Sequence, residues 1–521
     1  MSSRPKILVA DKLDKEGLAI LAQAGEVIER TDMSREELLA AVAEVDAIVV
    51  RSGTRVTAEV IEAAPRLRVI ARAGVGTDNI DVEAATRKGV VVVNSPAGNT
   101  LAAAEYTIAM MLAIARKIPQ ADASTRAGNW DRRSFMGRQL YGKTLGVIGF
   151  GRIGRAVSQR ALAFGMTVLA HDPYVAPAVM EEMGVQPTPF DELLARADFV
   201  TLHADLRDEN RHMIAEPQLR QMKKEAFLIN CARGGLIDEQ ALIQALKEGW
   251  IAGAALDVFE TEPRPNPELL ALPNVVVTPH LGASTVEAQA QVAVDAAEQV
   301  VSVLAGRAAR WAVNAPALPP EAEKEIAPYL ELASALGTMA AALCDGLLPS
   351  FLISGPDHLS DQYLELAARF AAARYLATGT GNEVNYVNVT LVADEHGMKI
   401  DSGRGDGPEG YRQWLTLLLS DGSRAVRLAG VLVGGLPRIV EVDGFGIDLV
   451  PRGRVLCIWH GAPGRPGFIG RVGTILGDRG ISITGIEVGI EPMGGVGFMA
   501  VQVEQDLSHD VLEEIRGISD V

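Results

Sequence analysis

The sequence predicts an α/β protein with two parallel sheets, followed by two smaller α+β units. Short apolar runs alternate with amphipathic or Ala-rich segments from the first residues onward, a pattern typical of parallel β-α-β units. The 521 residues exceed what one hydrophobic core can organise, so we expect three or four domains. Beyond residue 320, longer helical patterns are followed by strand patterns, which indicates a different architecture for the C-terminal part.

Two units, each built from several β-α-β motifs, make up the N-terminal part. Strands of the first unit are predicted at Lys6–Ala10, Ala47–Arg51, Val69–Arg72 and Val90–Val93. A long Ala/Met-rich helix after Asn94-Ser95-Pro96 should cross into the second unit, whose strands are predicted near Thr144–Gly149, Thr167–Ala170, Phe199–Leu202, Phe227–Asn230, Ala252–Leu256 and Val275–Val277. Because the helix Val286–Leu304 should return to the first unit, residues 1–96 and 284–315 form one discontinuous domain. Residues 97–283 form a second domain, with a cleft between the two.

Two further domains are predicted after a linker at Asn314-Ala315-Pro316 and Pro319-Pro320. Residues 321–450 should hold helices at Glu321–Ala341 and Tyr363–Ala377, then strands such as Glu383–Val392. Residues 453–521 predict the order strand, helix, strand, strand, helix, strand, at Val455–Trp459, Phe468–Leu476, Ile481–Ile490, Val496–Val503, Asp510–Ile515 and Ile518–Val521.

The composition narrows the class of partner and the compartment. A net charge of −17 argues against nucleic acid or an anionic membrane surface. The three cysteines are far apart and in no metal-ligand spacing, so we expect neither disulfides nor a metal site. No signal peptide is expected before the strand-like start, and the longest apolar stretch, Leu101–Ala115, is too short to span a bilayer. These features predict a cytosolic protein with small-molecule partners.

The segment Gly149-Phe150-Gly151-Arg152-Ile153-Gly154 predicts a dinucleotide site. The pattern alone is weak in a chain with 52 glycines, but here an apolar strand precedes it and a helical stretch follows. Gly149 permits a tight turn, Gly151 lets the backbone approach a pyrophosphate, and Gly154 lets helix and strand pack closely. Asp172, at the end of the next strand, can bind the ribose hydroxyls and would repel a 2′-phosphate. The cofactor is therefore predicted to be NAD.

Residues suited to hydride-transfer chemistry follow successive predicted strands. His280 can act as the base that takes a hydroxyl proton, because histidine titrates close to working pH. The segment 257–263 offers carboxylates, Glu260 and Glu262 among them, that can orient the imidazole. Arg233 is suited to a bidentate grip on a substrate carboxylate. His203 also ends a strand and is a rival acid/base, but we expect it to line the cofactor pocket.

These residues, in this order, resemble the D-isomer-specific 2-hydroxyacid dehydrogenases over nearly the whole chain. The most specific pieces are the segments 72–81, 230–235 and 279–285. The resemblance implies Arg233, Glu262 and His280 as catalytic residues, and so selects Glu262 over Glu260. It also implies cofactor contacts at Arg152, Ile153, Ala204, Cys231, Ala232, Arg233 and Asp257. The contact at Ala204 is less secure, because Asp205 stands where the family usually has proline.

Two more arginines bear on the substrate. Arg51 and Arg72 follow consecutive predicted strands and, together with Arg233, offer more positive charge than one carboxylate needs, which indicates a second anionic group. Alternatively, Arg51 or Arg72 pairs internally with an acid such as Asp78. The resemblance favours 3-phospho-D-glycerate, oxidised to 3-phosphohydroxypyruvate as the first step of phosphorylated serine biosynthesis. It also implies substrate contacts at Gly74 and, from a neighbouring subunit, at Arg132.

The resemblance extends to the architecture and to regulation. It implies a Rossmann-type NAD domain inserted in a flavodoxin-like substrate domain, then an α+β intervening domain and a ferredoxin-like ACT domain, in a homotetramer. ACT domains bind amino acids at dimer interfaces. In serine-inhibited relatives that interface carries an Asp and an Asn, where this chain has Gly464 and Ser482, and the loop is longer at 461–463. His460 could substitute as a ligand contact, but we expect it to be structural and serine inhibition to be weak or absent.

Two alternatives remain open. One is a dehydrogenase of another 2-hydroxy acid, such as 2-hydroxyglutarate. The other is an NAD-sensing binding protein like the transcriptional corepressors that share this fold.

Overall fold

The computed structural model describes residues 4–316, 318, 322–381, 383–461, 467–490, 496–519 and 521, and it has the predicted fold class. Five parallel strands form the first sheet in the order β2-β1-β3-β4-β5. They are β1 (Lys6–Val9), β2 (Glu26–Glu29), β3 (Ala47–Val50), β4 (Val69–Arg72) and β5 (Val91–Val93). The apolar runs of β1, β3, β4 and β5 are buried on both faces because helices cover the sheet on each side.

The helices of this unit come from both ends of its sequence. The Val286–Leu304 helix packs against the Lys15–Ala24 helix, and its buried alanines and valines share a core with β1, β3, β4 and β5. The other helices are Arg35–Val42, Ala58–Glu62 and Val82–Arg87. The edge strand β2 was not predicted, because its sequence Glu-Val-Ile-Glu is exposed at both ends and is too short to show a pattern.

Seven parallel strands form the second sheet, in the order β12-β11-β10-β9-β6-β7-β8. The strands are β6 (Thr144–Ile148), β7 (Thr167–His171), β8 (Gln186–Pro187), β9 (Phe199–Leu202), β10 (Phe227–Asn230), β11 (Gly253–Leu256) and β12 (Val275–Val277). The order reverses between β6 and β9, and ligands of open α/β sheets bind at such a point, outside the carboxyl ends of the strands.

Helices cover both faces of the second sheet. The Thr100–Arg116 helix is the predicted crossover, and it packs against the Arg152–Ala163 helix and against β10 and β11. The remaining helices are Ile118–Arg126, Pro177–Glu181, Phe190–Arg196, Glu216–Gln221, Glu239–Glu248 and Pro267–Leu270, with 3₁₀ turns at Asp208–Asn210 and Gly234–Leu236.

The third unit is a six-stranded sheet with helices on it. Its strand order is β14-β13-β15-β16-β17-β18, antiparallel except for the pair β13 and β14. The strands are β13 (Ser350–Gly355), β14 (Lys399–Arg404), β15 (Trp414–Ser420), β16 (Ala425–Val433), β17 (Leu436–Val442) and β18 (Phe445–Leu449). The helices are Glu323–Leu343, Asp361–Thr380 and Val389–Glu395.

The predicted strand at Glu383–Val392 is wrong. The segment is a turn leading into the Val389–Glu395 helix, because two asparagines bond to nearby backbone instead of leaving it free for a sheet. Asn385 Oδ1 accepts from the Val387 N–H (2.9 Å), and Asn388 Oδ1 accepts from the Asn385 N–H (2.8 Å). The Asn385 amide also donates to the Gly89 carbonyl (2.7 Å), which ties this unit to the first one.

The C-terminal unit has three antiparallel strands in the order β19-β21-β20. They are β19 (Arg454–His460), β20 (Ile483–Ile490) and β21 (Gly497–Val503), with helices Phe468–Asp478 and His509–Arg516. The strand predicted at Ile518–Val521 is wrong for its described residues. They form turns, with the Ile518 N–H donating to Ile515 and the Val521 N–H donating to Ile518.

One helix among the described residues, Lys324–Leu343, is long and apolar enough to cross a membrane. Half of its apolar stretch is buried, however, and Leu332 and Leu336 lie fully inside the core of the third unit. We therefore interpret it as a core helix. The linker prolines at 319 and 320, and Gly464 in the ACT loop, lie outside the described residues.

Candidate active site

The glycine loop begins directly after β6. Gly149 has φ +91°, a left-handed conformation that favours glycine, and a Cβ there would lie 2.8 Å from the Ala204 nitrogen. A Cβ on Gly154 would lie 2.1 Å from the Gly149 carbonyl oxygen, whereas a Cβ on Gly151 would meet nothing within 4 Å. Gly151 precedes the Arg152–Ala163 helix, so exposed N–H groups of its first turn face open space. The loop thus leaves room for a pyrophosphate at a helix N-terminus.

Asp172 is fixed beside this loop. Its carboxylate accepts from the Phe150 N–H (2.7 Å) and from the Tyr174 N–H (2.9 Å). Carboxylate oxygens have several lone-pair sites, so ribose hydroxyls can still be bound. The glycines and Asp172 together fit NAD.

His203, the rival acid/base, lies near the same loop. Burial lowers its pKa to about 3, so the imidazole is neutral near pH 7. Its Nε2 lies 3.0 Å from the Thr201 hydroxyl oxygen. A ring that stays neutral in this pH range is poorly suited to carry a proton in turnover, and the predicted place beside the cofactor fits it better.

His280 and Glu262 form a pair at the carboxyl ends of neighbouring strands. His280 Nδ1 lies 2.9 Å from Glu262 Oε2, and Glu262 Oε1 accepts from the Phe259 N–H (3.1 Å). Burial raises the pKa of Glu262, but the His280 bond and charge, the Phe259 N–H and the Arg233 charge lower it on balance. Glu262 therefore stays ionised and holds the ring with Nε2 turned away from the carboxylate.

Asp257 braces the loop that carries His280. Its carboxylate is fully buried and accepts from the Thr278 hydroxyl (2.7 Å), the Leu281 N–H (2.8 Å) and the Gly282 N–H (2.8 Å). His280 itself has φ +59°, an uncommon conformation for a residue other than glycine, and these bonds hold it there. The predicted contact of Asp257 with the nicotinamide end stays a prediction.

Arg233 follows β10 and reaches the first unit. Its Nε donates to Asp78 Oδ2 (3.1 Å). Its Nη2 lies so close to Gly76 that a Cβ on that residue would be 1.8 Å from the nitrogen. Asn230 is fully buried and shapes the turn, donating to the Arg233 carbonyl (2.8 Å) and accepting from the Ala232 N–H (3.0 Å). Asp78 thus pairs with Arg233, and not with Arg51 or Arg72 as the alternative interpretation had it.

The cleft between the two parallel-sheet units has a volume of about 590 Å³. It brings together most of the predicted catalytic and substrate residues: Arg51, Arg72, Gly74, Arg233, Glu262 and His280. Burial, together with the charges of Arg51 and Arg233, lowers the pKa of Arg72 to about 10. Arg72 Nε is buried without a hydrogen-bond partner among the described residues. The repulsion that Arg51 and Arg233 exert on Arg72 is only partly offset by Asp11 and Asp78, which favours an anionic ligand in this cavity.

Several predicted residues lie outside this cleft. Cys231 and Ala232 lie on the turn before Arg233, and burial raises the pKa of the Cys231 thiol to about 12, so it stays protonated. Arg152 and Ile153 open the helix of the glycine loop. Arg132 is exposed and is not among the described residues that line its own chain's cleft. No cluster of metal ligands occurs in the described part of the chain.

Sequence reasoning gave no role to three polar residues that support the site. Asp11, at the end of β1, accepts from the backbone N–H groups of Arg51 (2.6 Å) and Thr54 (3.2 Å). Asn79 donates to the Arg51 carbonyl (2.7 Å), and Gln289 Oε1 accepts from Arg51 Nη1 (3.3 Å). Asp11 follows strand β1 just as Arg51 follows β3, so the same attention to strand ends would have identified it. Asn79 and Gln289 depend on loop and interdomain geometry that the sequence does not display.

Comparison with known proteins shows the family of each part of the chain. Residues 108–282 match the family model described as the NAD-binding domain of D-isomer specific 2-hydroxyacid dehydrogenases. Residues 325–443 match the intervening domain of D-3-phosphoglycerate dehydrogenase, and residues 461–520 match the ACT domain. The fold is therefore that of an NAD-dependent 2-hydroxyacid dehydrogenase, which confirms the predicted cofactor.

Relatives that match nearly the whole chain narrow the class of dehydrogenase. A D-3-phosphoglycerate dehydrogenase of Methanocaldococcus jannaschii is 43% identical over 99% of this chain and 98% of its own. One from Bacillus subtilis is 36% identical with the same coverage. A solved glyoxylate reductase from Paecilomyes thermophila is 33% identical, with a TM-score of 0.56, and covers 60% of this chain and 99% of its own. The chain belongs to the D-3-phosphoglycerate dehydrogenases of the D-isomer-specific 2-hydroxyacid dehydrogenase family.

Proposed function

We propose that this enzyme oxidises 3-phospho-D-glycerate to 3-phosphohydroxypyruvate with NAD, the step that opens phosphorylated serine biosynthesis. The observation that carries the proposal is the placement of Arg51, Arg72 and Arg233 in one cleft with the His280–Glu262 pair. A phosphate carries close to two negative charges near neutral pH and a carboxylate carries one, and a substrate with both groups suits a cleft that holds three guanidinium groups.

Each side chain has a distinct task in this proposal. Arg233 grips the substrate carboxylate, and Arg51 and Arg72 hold the phosphate at the opposite end of the cleft, over Gly74. Gly74 has φ +152°, and a Cβ there would lie 2.4 Å from Arg72 Nη1, so glycine is needed for the guanidinium to lie where it does. A substrate held at both ends presents its C2 hydroxyl between them.

His280 is the proposed base. Its Nδ1 is bonded to Glu262, so Nε2 is the nitrogen that accepts the hydroxyl proton. The resulting imidazolium is stabilised by the ionised Glu262. The nicotinamide of NAD, when bound, supplies the acceptor for the hydride that leaves C2. The fixed loops around Asp257 and Asn230 keep these groups aligned while the proton moves.

A substrate panel tests the assignment. NADH formation would be measured with 3-phospho-D-glycerate, unphosphorylated D-glycerate, D-2-hydroxyglutarate and D-lactate, at matched NAD. We expect kcat/KM to be highest for the phosphorylated acid and much lower for D-glycerate and D-lactate, which both lack a second anionic group. Equal or better turnover of D-2-hydroxyglutarate would assign the site to a dicarboxylate. Tight NAD binding without turnover of any acid would indicate a binding protein.

We also propose that the enzyme is a homotetramer whose neighbouring subunit supplies Arg132 to the phosphate. Arg132 is exposed, and so are the nearby Trp130 (87%) and Met136 (77%), which is unusual for large apolar side chains unless another surface covers them. Arg132→Ala should raise the KM for 3-phospho-D-glycerate and leave the KM for D-lactate unchanged. An equal KM for 3-phospho-D-glycerate in the variant and the wild type would refute this role.

For the ACT domain we propose that L-serine is a weak effector or none. Ser482 has a short side chain, its backbone N–H donates to Gln505 Oε1 (2.8 Å), and its hydroxyl oxygen accepts from Gln505 Nε2 (3.5 Å), so both groups contact the domain itself. His460 is 6% exposed and packs 4.4 Å from the Phe468 ring, which suits a structural role. Initial rates titrated with L-serine should stay flat. Saturable inhibition at low serine concentration would show that other side chains bind it.

A further inference from the structure

Three polar side chains that the proposed reaction does not use, Glu239, Glu260 and His212, meet beside the catalytic loops. The Glu260 N–H donates to Glu239 Oε1 (2.7 Å), and the Glu239 N–H donates back to Glu260 Oε1 (3.1 Å). His212 Nε2 lies 2.9 Å from the same Glu260 oxygen. Glu239 is only 8% exposed, although it is a carboxylate and begins a ten-residue helix. We call these three residues the glutamate clasp.

The clasp lies between the two loops that carry the catalytic groups. Glu260 precedes Glu262 by two residues on one loop. The His212 N–H donates to the Gly235 carbonyl (2.8 Å), two residues after Arg233 on the other loop. The backbones of the two loops touch directly, since a Cβ on Gly234 would lie 2.0 Å from the Phe259 carbonyl carbon. One cluster thus joins the Arg233 loop, the Glu262 loop and the helix that begins at Glu239.

The proposed chemistry makes the spacing of these loops important. The carboxylate that Arg233 grips and the hydroxyl that His280 deprotonates lie on adjacent carbons. A change of about 1 Å in the separation of the two loops would therefore misplace one group whenever the other is bound. Reciprocal bonds between carboxylates and backbone N–H groups are charge-assisted and directional, which suits them to fix such a spacing.

We infer that Glu260 and Glu239 are positioning residues that set the distance between Arg233 and the His280–Glu262 pair, an inference that rests on the proposed function. Helix formation alone would not bring two carboxylates together. Burial and the charge of Glu260 raise the pKa of Glu239, so the arrangement is electrostatically unfavourable by itself. The two hydrogen bonds between Glu239 and Glu260, which join the loops, offset this unfavourable contact.

The test compares Glu260→Ala with Glu260→Gln in the full-length enzyme. The alanine variant loses the acceptor for the Glu239 N–H and the partner of His212, whereas the glutamine carbonyl can still accept from Glu239. Glu268→Ala is the matched control, because it removes another glutamate near the same helix that only forms an exposed pair with Lys247. The readouts are kcat, the KM for 3-phospho-D-glycerate, the NAD dissociation constant and the thermal midpoint.

We expect Glu260→Ala to lower kcat and raise the KM for the acid, with kcat/KM falling roughly ten- to hundredfold. Glu260→Gln should stay within about fivefold of the wild type, because the Glu239 N–H keeps its acceptor and only the partly exposed contact with His212 changes. NAD affinity should change less than the KM for the acid, since the glycine loop that holds the pyrophosphate follows a different strand. If Glu260→Ala does not fold, Glu239→Ala removes one of the two bonds and carries the same expectation.

The inference fails if Glu260→Ala lowers the thermal midpoint but keeps the kcat and KM of the wild type, which would show a purely structural role. It also fails if the glutamine variant is as impaired as the alanine variant, because the charge and not the bond would then matter. A wild-type enzyme that does not turn over the acid would instead refute the proposed function, so the two failures are distinguishable.

Discussion

Arg72 offers a prediction in which binding and stability change in opposite directions. Its guanidinium is largely buried, lies near two other arginines, and has a pKa lowered from 12.5 to about 10. A lowered pKa in a cation means that the fold disfavours the charged form, and Arg72 is charged at neutral pH. At about 1.4 kcal/mol per pKa unit, the charge costs the ligand-free enzyme about 3 kcal/mol. Replacing it with methionine should therefore stabilise the ligand-free enzyme.

The net gain is smaller, because methionine also loses the bond from Arg72 Nη1 to the Ala73 carbonyl (2.8 Å), worth about 1 kcal/mol. A remainder of about 2 kcal/mol should raise the thermal midpoint of the substrate-domain transition by about 4–8 °C. The same variant should raise the KM for 3-phospho-D-glycerate roughly ten- to hundredfold, because a charged hydrogen bond to the phosphate is lost, with little change in kcat.

Differential scanning calorimetry with and without 3-phospho-D-glycerate, together with initial rates, measures both effects. Arg87→Met is the control, since Arg87 forms only an exposed pair with Glu83 in the same domain. It should shift neither the midpoint nor the KM appreciably. A lower thermal midpoint for Arg72→Met, together with an unchanged KM for 3-phospho-D-glycerate, would refute the reasoning. It would show that the charge of Arg72 neither destabilises the ligand-free enzyme nor binds the phosphate.

Further predictions concern the glycine loop and the acid/base pair. Gly151→Ala should fold normally but weaken NAD binding measured by calorimetry, whereas Gly154→Ala should lower the thermal midpoint, since its Cβ would lie 2.1 Å from the Gly149 oxygen. Equal NAD affinity of Gly151→Ala and wild type would contradict this. Glu262→Gln should lower kcat roughly ten- to hundredfold with little change in the KM for the acid. The folded pKa of Glu262 is below its ordinary 4.5, so its stabilising charge is fully present above pH 4.5 and is lost as the pH falls through the lowered value. The thermal midpoint of Glu262→Gln should therefore fall less steeply at acid pH than that of the wild type. An equally steep fall would refute the pairing of the Glu262 charge with His280.

The parts of this fold that depend on local pattern were predictable from the sequence. The strands β3, β4 and β10 are short, mostly apolar runs, and Arg51, Arg72 and Arg233 end or closely follow them at the carboxyl edge of each sheet. Two carboxylates so close in sequence could not be told apart by pattern, and the family resemblance selected Glu262 over Glu260 as the partner of His280. The structure shows why they differ, since only Glu262 contacts His280.

What the sequence did not reveal depends on side chains that bond to backbone or across domains. Asn385 and Asn388 turn a strand-like segment into a helix start, because each amide bonds to its own neighbourhood. Asp78 could pair with any of three arginines, and only the folding of the two units against each other selects Arg233. Such bonds leave no periodic trace, so pattern reasoning cannot find them.

The loss of turnover in His280→Ala tests the central claim most directly. NADH formation from 3-phospho-D-glycerate would be followed in wild type and variant, with NAD affinity measured in both. The account predicts that kcat falls by at least about a hundredfold while NAD affinity is retained, because His280 takes the hydroxyl proton and does not hold the cofactor. A variant that keeps the wild-type kcat would contradict the account, since some other group would then accept the proton.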